Sequence, residues 1–484
     1  MMHPHRRAFR ASALAVVASL TLIACSSDKK SADTTTAAAA ATDTTAAAVK
    51  AADTTAAPSA VSSEPQKLTV AYNATGDFPE PNATLTAAKA SFETANPGVT
   101  IDLQKEVAAD DPYHTKLQLR LGGGSDVPDV MYYSPNWLDA DAAAGYLSPL
   151  DDGLAAWPDW TAQFPEAVRE GAKSSDGKTY GVPMSANDIG IWYNKDTFKA
   201  AGLPEDWQPK TWADMRAAAE AIKAKVPNAI PVHLYAGKAS GVTDAILKTF
   251  QPLLYGTGAT LFDFATNKWV KADKGFLDAM TFVSDMYKDG LTAKTADVLS
   301  PNVWSLIGPW MKDTKLGFVP DGNWMSFAWV KGGPNEWPAW GDRLGVAVMP
   351  TQDGGGAGKV TMALRGTVLV RAAKSKSPEL AMKFIEHVTN KENSLSIAVN
   401  SAQLAVRNDV AADPAYKNRP TVGAFTDMLQ YAKYLPLTEE NGKVENLLAD
   451  LIEQVALQKM TPAKSVQEYN DQIAGVVGKD KYAG

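Results

Sequence analysis

Gly181–Asp196, GVPMSANDIGIWYNKD, is the stretch on which the fold turns. It opens apolar, carries the polar pair Asn187-Asp188, and runs on into Ile191-Trp192-Tyr193-Asn194-Lys195. The chain before it reads as one α/β unit, and a second α/β unit begins after it. A polar pair at such a junction would lie between two lobes, where ligand clefts commonly form.

The 484 residues suffice for two or more domains, since a single core stops growing near ~250–300 residues. An apolar share of 45% and a charged share of 21% are those of an ordinary globular protein. The net charge is −7, with no basic block beyond the N-terminus, which argues against nucleic acid as the main partner. Thirteen Trp offer flat apolar faces, most of them expected in the core. The one cysteine, Cys25, rules out a disulfide within the chain.

Arg6, Arg7 and Arg10 precede the apolar run Ala11–Ala24. That run is too short to span a bilayer, which takes about 20 residues. Residues 1–24 therefore read as a signal peptide. Leu22-Ile23-Ala24-Cys25 resembles a bacterial lipobox, which implies cleavage before Cys25 and acylation of its thiol. The expected location is extracytoplasmic, anchored by that lipid to the outer face of the cytoplasmic membrane. Arg6-Arg7-Ala8-Phe9 also resembles a twin-arginine export signal. The remainder of 25–66 is Ala/Thr/Ser-rich and without aromatic residues. Such composition buries too little surface to offset ordering entropy, so it reads as a disordered tether with ~35 Å of mean reach.

Lys67–Tyr72 opens the fold as a strand. A helix over Leu85–Thr94, a strand at Val99–Leu103, a helix over Tyr113–Leu121 and a buried strand at Val127–Tyr133 follow. This βαβαβ order predicts a parallel sheet with crossover helices. Gly122–Ser125 lacks the Gly-Lys-Ser/Thr of a phosphate loop and reads as a helix stop. Ligands of open α/β sheets sit beyond the carboxyl ends of strands. Asn73–Asp77 and Ser134–Trp137 occupy such ends, each equally compatible with plain loop structure. Further on, Thr211 caps a helix over Trp212–Lys225, and helices are expected at Thr243–Leu254, Lys274–Lys288 and Pro378–Thr389.

Three segments carry a resemblance: PDVMYYSPNWLDADAAAGYLSPLDD, GKTYGVPMSANDIGIWYNKDTFKAAGL and PKTWADMRAAAEAIKAK. They are similar to the extracellular solute-binding proteins of bacterial ABC sugar importers, the maltose-binding-like group. Val319–Trp324 (VPDGNW) resembles the family's Gly-x-Trp stretch, and LGVAVMPTQDGGG with ALRGTVLVRAAKSKSPELAMKFIEHVTN resembles its return crossover and helix. The resemblance covers Lys67–Gly484. It implies an α/β, two-lobed periplasmic-binding-protein-like fold of type II, each lobe a mostly parallel sheet flanked by helices. The N-terminal lobe would comprise 67–186 plus 351–401, and the C-terminal lobe 187–350 plus 402–484. Gly181–Asp196 would be the first crossing, paired with a return at Val348–Gly356.

A sugar site needs planar apolar faces for the C–H side of a pyranose ring, and carboxylates, amides or Arg for its hydroxyls. The candidate stackers are Trp324, Trp137 and Tyr133, with Trp324 standing where the family places a stacking Trp. The candidate hydroxyl binders are Asp77, Asn136, Asn187, Asp188 and Arg365, with at least one contact expected from the Asn187-Asp188 pair and the choice between the two left open. Trp304, Trp310, Trp337 and Trp340 are expected in the core. Of the five His, His114, His233 and His387 stand far apart outside the signal segment, so no metal centre is expected. No Gly-x-Ser-x-Gly elbow or His-Glu-x-x-His motif occurs. The implied function is capture of a carbohydrate without a cofactor, by a monomer that delivers it to ABC permease subunits. The alternative is a lipid-anchored glycan-processing enzyme, whose two carboxylates need not be neighbours in the chain.

Overall fold

The computed structural model describes residues 66–75, 80–108, 110–124, 126–364, 366–400, 402–436 and 438–484. The signal segment, Cys25, the tether up to residue 65, Asp77 and Arg365 lie outside the described residues. No helix among the described residues is long and apolar enough to cross a membrane.

Strands β1 (Gln66–Asn73), β2 (Val99–Glu106), β3 (Val130–Tyr133) and β4 (Gly181–Pro183) come first. Then follow β5 (Asn187–Asn194), β6 (Ile230–Val232), β7 (Phe262–Asp263), β8 (Lys268–Val270) and β9 (Leu316–Gly322). The chain goes on through β10 (Leu344–Ala347), β11 (Met349–Pro350), β12 (Lys359–Leu364), β13 (Val368–Arg371), β14 (Ala432–Lys433) and β15 (Tyr482–Ala483).

One sheet has the order β2-β1-β3-β13-β4. β1 runs parallel to β2 and to β3, as the crossover helices Glu80–Ala95 and Asp110–Gly123 require. The glycine cluster ends the second helix: Gly124 takes φ +74° and its N–H donates to the Arg120 carbonyl. β13 closes the sheet antiparallel to β3 and β4. Leu68, Val70, Leu85, Phe92, Phe384 and Ile385 are buried together between this sheet and its helices, each worth about 1.5–3 kcal/mol on removal from water.

The second sheet runs β11-β12-β5-β9-β6, with β10 also on β5 and β14 on β12. β5 is its central strand, buried at every position, with β9 on one side and β10 and β12 on the other. That explains the unbroken apolar reading of Ile189–Tyr193. Asn194 ends the strand and caps the next helix, its side chain accepting the Thr197 N–H at 3.0 Å. Thr211 caps Trp212–Lys225 as expected, in a reciprocal capping box with Asp214. A small third sheet joins β15, β8 and β7.

Three segments link the sheets. The first, Met184–Ala186, joins β4 to β5; the second joins β12 to β13; the third passes Leu404, which bridges Ala186. The second is a correction, because no return occurs at Val348–Gly356. β11 and β12 instead form an antiparallel hairpin inside the second sheet, turned by Gly354, Gly356 and Gly358 at positive φ. The part of 351–401 up to Leu364 therefore packs with the second sheet. The crossing follows immediately, where Gly366 holds φ +65° and a Cβ would stand 2.0 Å from the Ser185 carbonyl oxygen. Only glycine fits so close an approach.

The expected helix at Thr243–Leu254 is also altered. Ala245–Phe250 is π-helical between short α-helical turns. Pro252 lacks the N–H that would reach the Lys248 carbonyl, and its ring would press on that carbonyl in a regular helix. Widening the turn relieves both, and such wide turns often mark functional positions.

Candidate functional site

The described candidates fall in two groups, one following β3 and one at the end of β9 beside the start of β5. Tyr133 is fully buried and its hydroxyl donates to Asp141. It is therefore a core residue with no free face, a correction to its reading as a stacker. Asp141 also bonds His114 Nε2 at 2.6 Å and accepts from Gln118 Nε2 at 2.8 Å. Burial raises the Asp141 carboxyl, but the hydrogen bonds from His114, Tyr133 and Gln118 outweigh it and hold the pKa below the ordinary range. His114, fixed this way, stacks on Trp137 with centroids 4.2 Å apart and planes 4° apart. Tyr133 meets the same indole edge-on. One face of Trp137 is thus covered and the ring is only part-exposed, whereas Asn136 is exposed.

The second group surrounds the end of β9. Gly322 lies against the Trp324 indole, and a Cβ there would sit 2.2 Å from its ring atoms. The ring takes the space a side chain at 322 would need, over the apolar cluster Ile189, Leu247 and Met362. Trp192, inside β5, donates its indole N–H to the Gly322 carbonyl at 2.9 Å and so fixes this strand end. The quoted stretch and Trp324 are one piece of architecture.

Asn187 and Asp188 part ways. The strand's alternation turns them to opposite faces. Asp188 is wholly enclosed, and neither carboxylate oxygen has a hydrogen-bond partner. Burial pushes its carboxyl well above the ordinary carboxylate range. At 0% exposure Asp188 is an enclosed group of the first crossing, which leaves Asn187 as the accessible member of the pair. Asn187 keeps 9% exposure; its Oδ1 accepts from Asn323 Nδ2 at 3.2 Å. Asn323 uses both amide ends: Nδ2 also donates to the Ala402 carbonyl at 2.7 Å, and Oδ1 accepts the Asp188 N–H at 3.0 Å. One buried amide therefore joins the start of β5, the residue before Trp324 and the third crossing.

Beside Trp324 lies a charged cluster that sequence reasoning missed, its Lys248 Nζ 5.6 Å from the centre of the indole ring. Asp321, fully buried, accepts from Tyr235 Oη at 2.7 Å and from the Gly322 N–H at 2.7 Å, and pairs with Lys248 at 3.0 Å. Lys248 pairs also with Asp244 at 3.1 Å. Burial lowers the Lys248 pKa, but the two carboxylates outweigh it and raise it above the ordinary value. Asp321 and Asn323 stood in the quoted VPDGNW motif, whereas Lys248 and Asp244 lie on a segment whose pattern signals only a helix. The expectation for the tryptophans holds for Trp340, at 7% exposure, but Trp304 is exposed, at 42%. Among the described residues no His/Cys/Asp/Glu group has metal-site geometry.

Residues 75–394 match the family described as bacterial extracellular solute-binding protein. The galactooligosaccharide-binding protein of Bacillus subtilis is 21% identical over 398 residues, 78% of this chain and 84% of that one. A maltooligosaccharide ABC transporter solute-binding lipoprotein of Streptococcus pneumoniae is 24% identical over 351 residues, 70% of this chain and 74% of that one. The GacH receptor of Streptomyces glaucescens, solved unliganded and with acarbose, is 22% identical in sequence. It superposes with a TM-score of 0.71, covering 85% of this chain and 98% of that chain. The two-lobed fold is shared.

Proposed function

Since this chain belongs to the bacterial extracellular solute-binding protein family, we propose that it captures a sugar or oligosaccharide outside the cytoplasmic membrane. It delivers that ligand to the permease subunits of an ABC importer, as a monomer and without turning it over. The observation that carries the reading is Trp324: a part-exposed indole at a strand's carboxyl end, seated by a glycine that leaves room for it. Its face takes the C–H side of a pyranose. Asn187, Asn136 and the part-exposed edge of Trp137 contribute to the same site, as do the sequence candidates Asp77 and Arg365. The sugar ligands in the names of the relatives support the same class. Residues 67–186 and 368–401 form one lobe and 187–364 with most of 402–484 the other, and closure about the crossings buries the ligand. Acylated Cys25 and the tether of 25–66 keep the protein at the membrane.

Calorimetry over mono-, di- and oligosaccharides, paired with small-angle scattering, tests this. A bound sugar should reduce the radius of gyration. A bound sugar without compaction would refute closure, and released glycan fragments would favour an enzyme. Gly322→Ala should evict the Trp324 ring, shift the tryptophan emission, and weaken sugar binding at least about tenfold. Unchanged affinity with a displaced ring would remove Trp324 from the site.

A further inference from the structure

The buried amide of Asn323 has a polarity that its partners dictate. Its Oδ1 accepts from the Asp188 N–H at 3.0 Å, and its Nδ2 donates to the Ala402 carbonyl at 2.7 Å. A main-chain N–H can only donate and a main-chain carbonyl can only accept, so this amide has a single orientation. Ala402 is itself held at φ +55°, a left-handed backbone that alanine keeps only where its surroundings fix it. The same Asn323 Nδ2 donates to Asn187 at 3.2 Å, and only an acceptor can face it, so Asn187 turns its Oδ1 inward. The Nδ2 of Asn187 then points away from Asn323. It donates to none of the described residues, and it is not among the enclosed polar atoms left without a partner, so its hydrogens reach open space.

The strand register sets Asn187 beside Trp324. Side chains two apart on a strand share a face, so Asn187 stands on the face of β5 that carries Ile189. Ile189 belongs to the apolar cluster on which Trp324 packs. β5 also pairs Ile189 with Gly322, and that antiparallel register carried two residues further brings residue 187 opposite residue 324. Resting on the reading of Trp324 as the stacking face, we propose that Asn323 is a positioning residue that commits Asn187 to donating, so that the ring stacked on Trp324 must present an acceptor where Asn187 reaches it. A hydroxyl oxygen, a ring oxygen or a glycosidic oxygen meets that demand, and a methylene does not. An Asn323 that only tied the crossings together would change stability and leave this preference untouched.

The probes are glucose, galactose, mannose and their di- and trisaccharides, and, for the one that binds most tightly, its monodeoxy and monodeoxyfluoro analogues. Fluorine keeps an acceptor at the replaced hydroxyl and removes its hydrogen. Affinities are measured by calorimetry for the full chain and for Asn323→Asp, Asn187→Asp and Trp324→Ala. In the wild type, one fluoro analogue should bind about three- to tenfold more tightly than the deoxy analogue of the same position, the range for one neutral hydrogen bond. The carboxylate of Asn323→Asp offers only acceptors, so the Asn187 amide must turn its hydrogens inward. The fluoro advantage should then vanish, although no group proposed to touch the sugar has been replaced. Asn187→Asp, which puts an oxygen where the outward hydrogens were, should erase the same advantage. If Asn323→Asp does not fold, Asn323→Ala, which frees the Asn187 amide to turn, should reduce the advantage at least about twofold. No separation of any fluoro and deoxy pair in the wild type, or an advantage that survives in the Asn323 variants, overturns the assignment. If no probe binds, or if Trp324→Ala binds as tightly as wild type, the stacking face itself falls and the assignment falls with it. If Trp324→Ala weakens binding and the analogues do not separate, the face stands and the role of Asn323 alone is refuted.

Discussion

Lowering the pH from 6.5 toward 3 should remove about 4–5 kcal/mol of folding stability through His233 alone. This imidazole is fully buried after β6, and neither ring nitrogen has a hydrogen-bond partner. Burial, aided by the nearby Lys248 ammonium, lowers its pKa to about 3. In the unfolded chain it protonates near ~6.5. Between those values the unfolded chain holds a proton that the folded chain does not. The contribution is therefore whole above pH 6.5 and falls by about 1.4 kcal/mol per unit as the pH drops. Asp188 works in the opposite sense: with a raised pKa, its protonated folded form loses stability as the pH rises from the ordinary carboxylate value. His233→Phe isolates the imidazole. Urea titrations at pH 6.5 and 4.5 should show the wild type losing about 2–3 kcal/mol more than the variant. Equal losses would refute the account. The variant should also be the more stable at neutral pH, because two buried nitrogens without partners are gone.

Arg407→Ala should cost about 3 kcal/mol. The guanidinium is 1% exposed and donates to Asp159 at 2.7 Å, to Asp409 at 2.8 and 3.0 Å, and to the Thr389 carbonyl at 3.1 Å. It also lies 5.3 Å from the centre of the Phe164 ring. It thus fastens the segment just past the third crossing onto the helix Pro158–Gln163 and the end of the helix Pro378–Val388. Removing one partner of a buried ion pair strands the others, typically at about 3–5 kcal/mol. The figure here lies at the low end because Asp159 is 44% exposed and regains water. The urea midpoint should fall with an unchanged slope. A loss under about 1 kcal/mol would mean that the pairing contributes nothing net.

The three parallel strands that open the first sheet were legible because their signals are local, whereas the antiparallel closure by β13 was not. Strand, helix and glycine-stop patterns between Lys67 and Tyr133 each stand within a few residues, and the alternation of strand and helix then dictates parallel pairing. The return crossing was not legible. MPTQDGGGAGKV reads equally as a linker or a hairpin, and only the pairing of Met349 with Val360 decides. The burial of Tyr133, and the choice between Asn187 and Asp188, were not legible for one reason: in a strand buried on both faces, alternation no longer tells inside from outside. Lys248 and Asp244 were invisible because their meaning lies in Asp321, far along the chain, and in a turn widened by Pro252. Trp324 stands in a motif; the charges beside it needed coordinates.

The three crossings have a kinematic consequence. They meet at neighbouring points: Asn323 touches Asn187 and Ala402, and Asn187 pairs with Leu364 where the second crossing leaves its strand. Two bodies joined by a single strand can twist, slide and tilt independently. Three pins set side by side suppress sliding and twisting and leave rotation about the line through them. Such a linkage has a fixed path and a fixed end point, whatever the cargo. If the lobes close on ligand as proposed, selection would rest on the clearance left at that end point, and a ligand one ring too long would be rejected by an incomplete stroke even when every local contact to it is favourable.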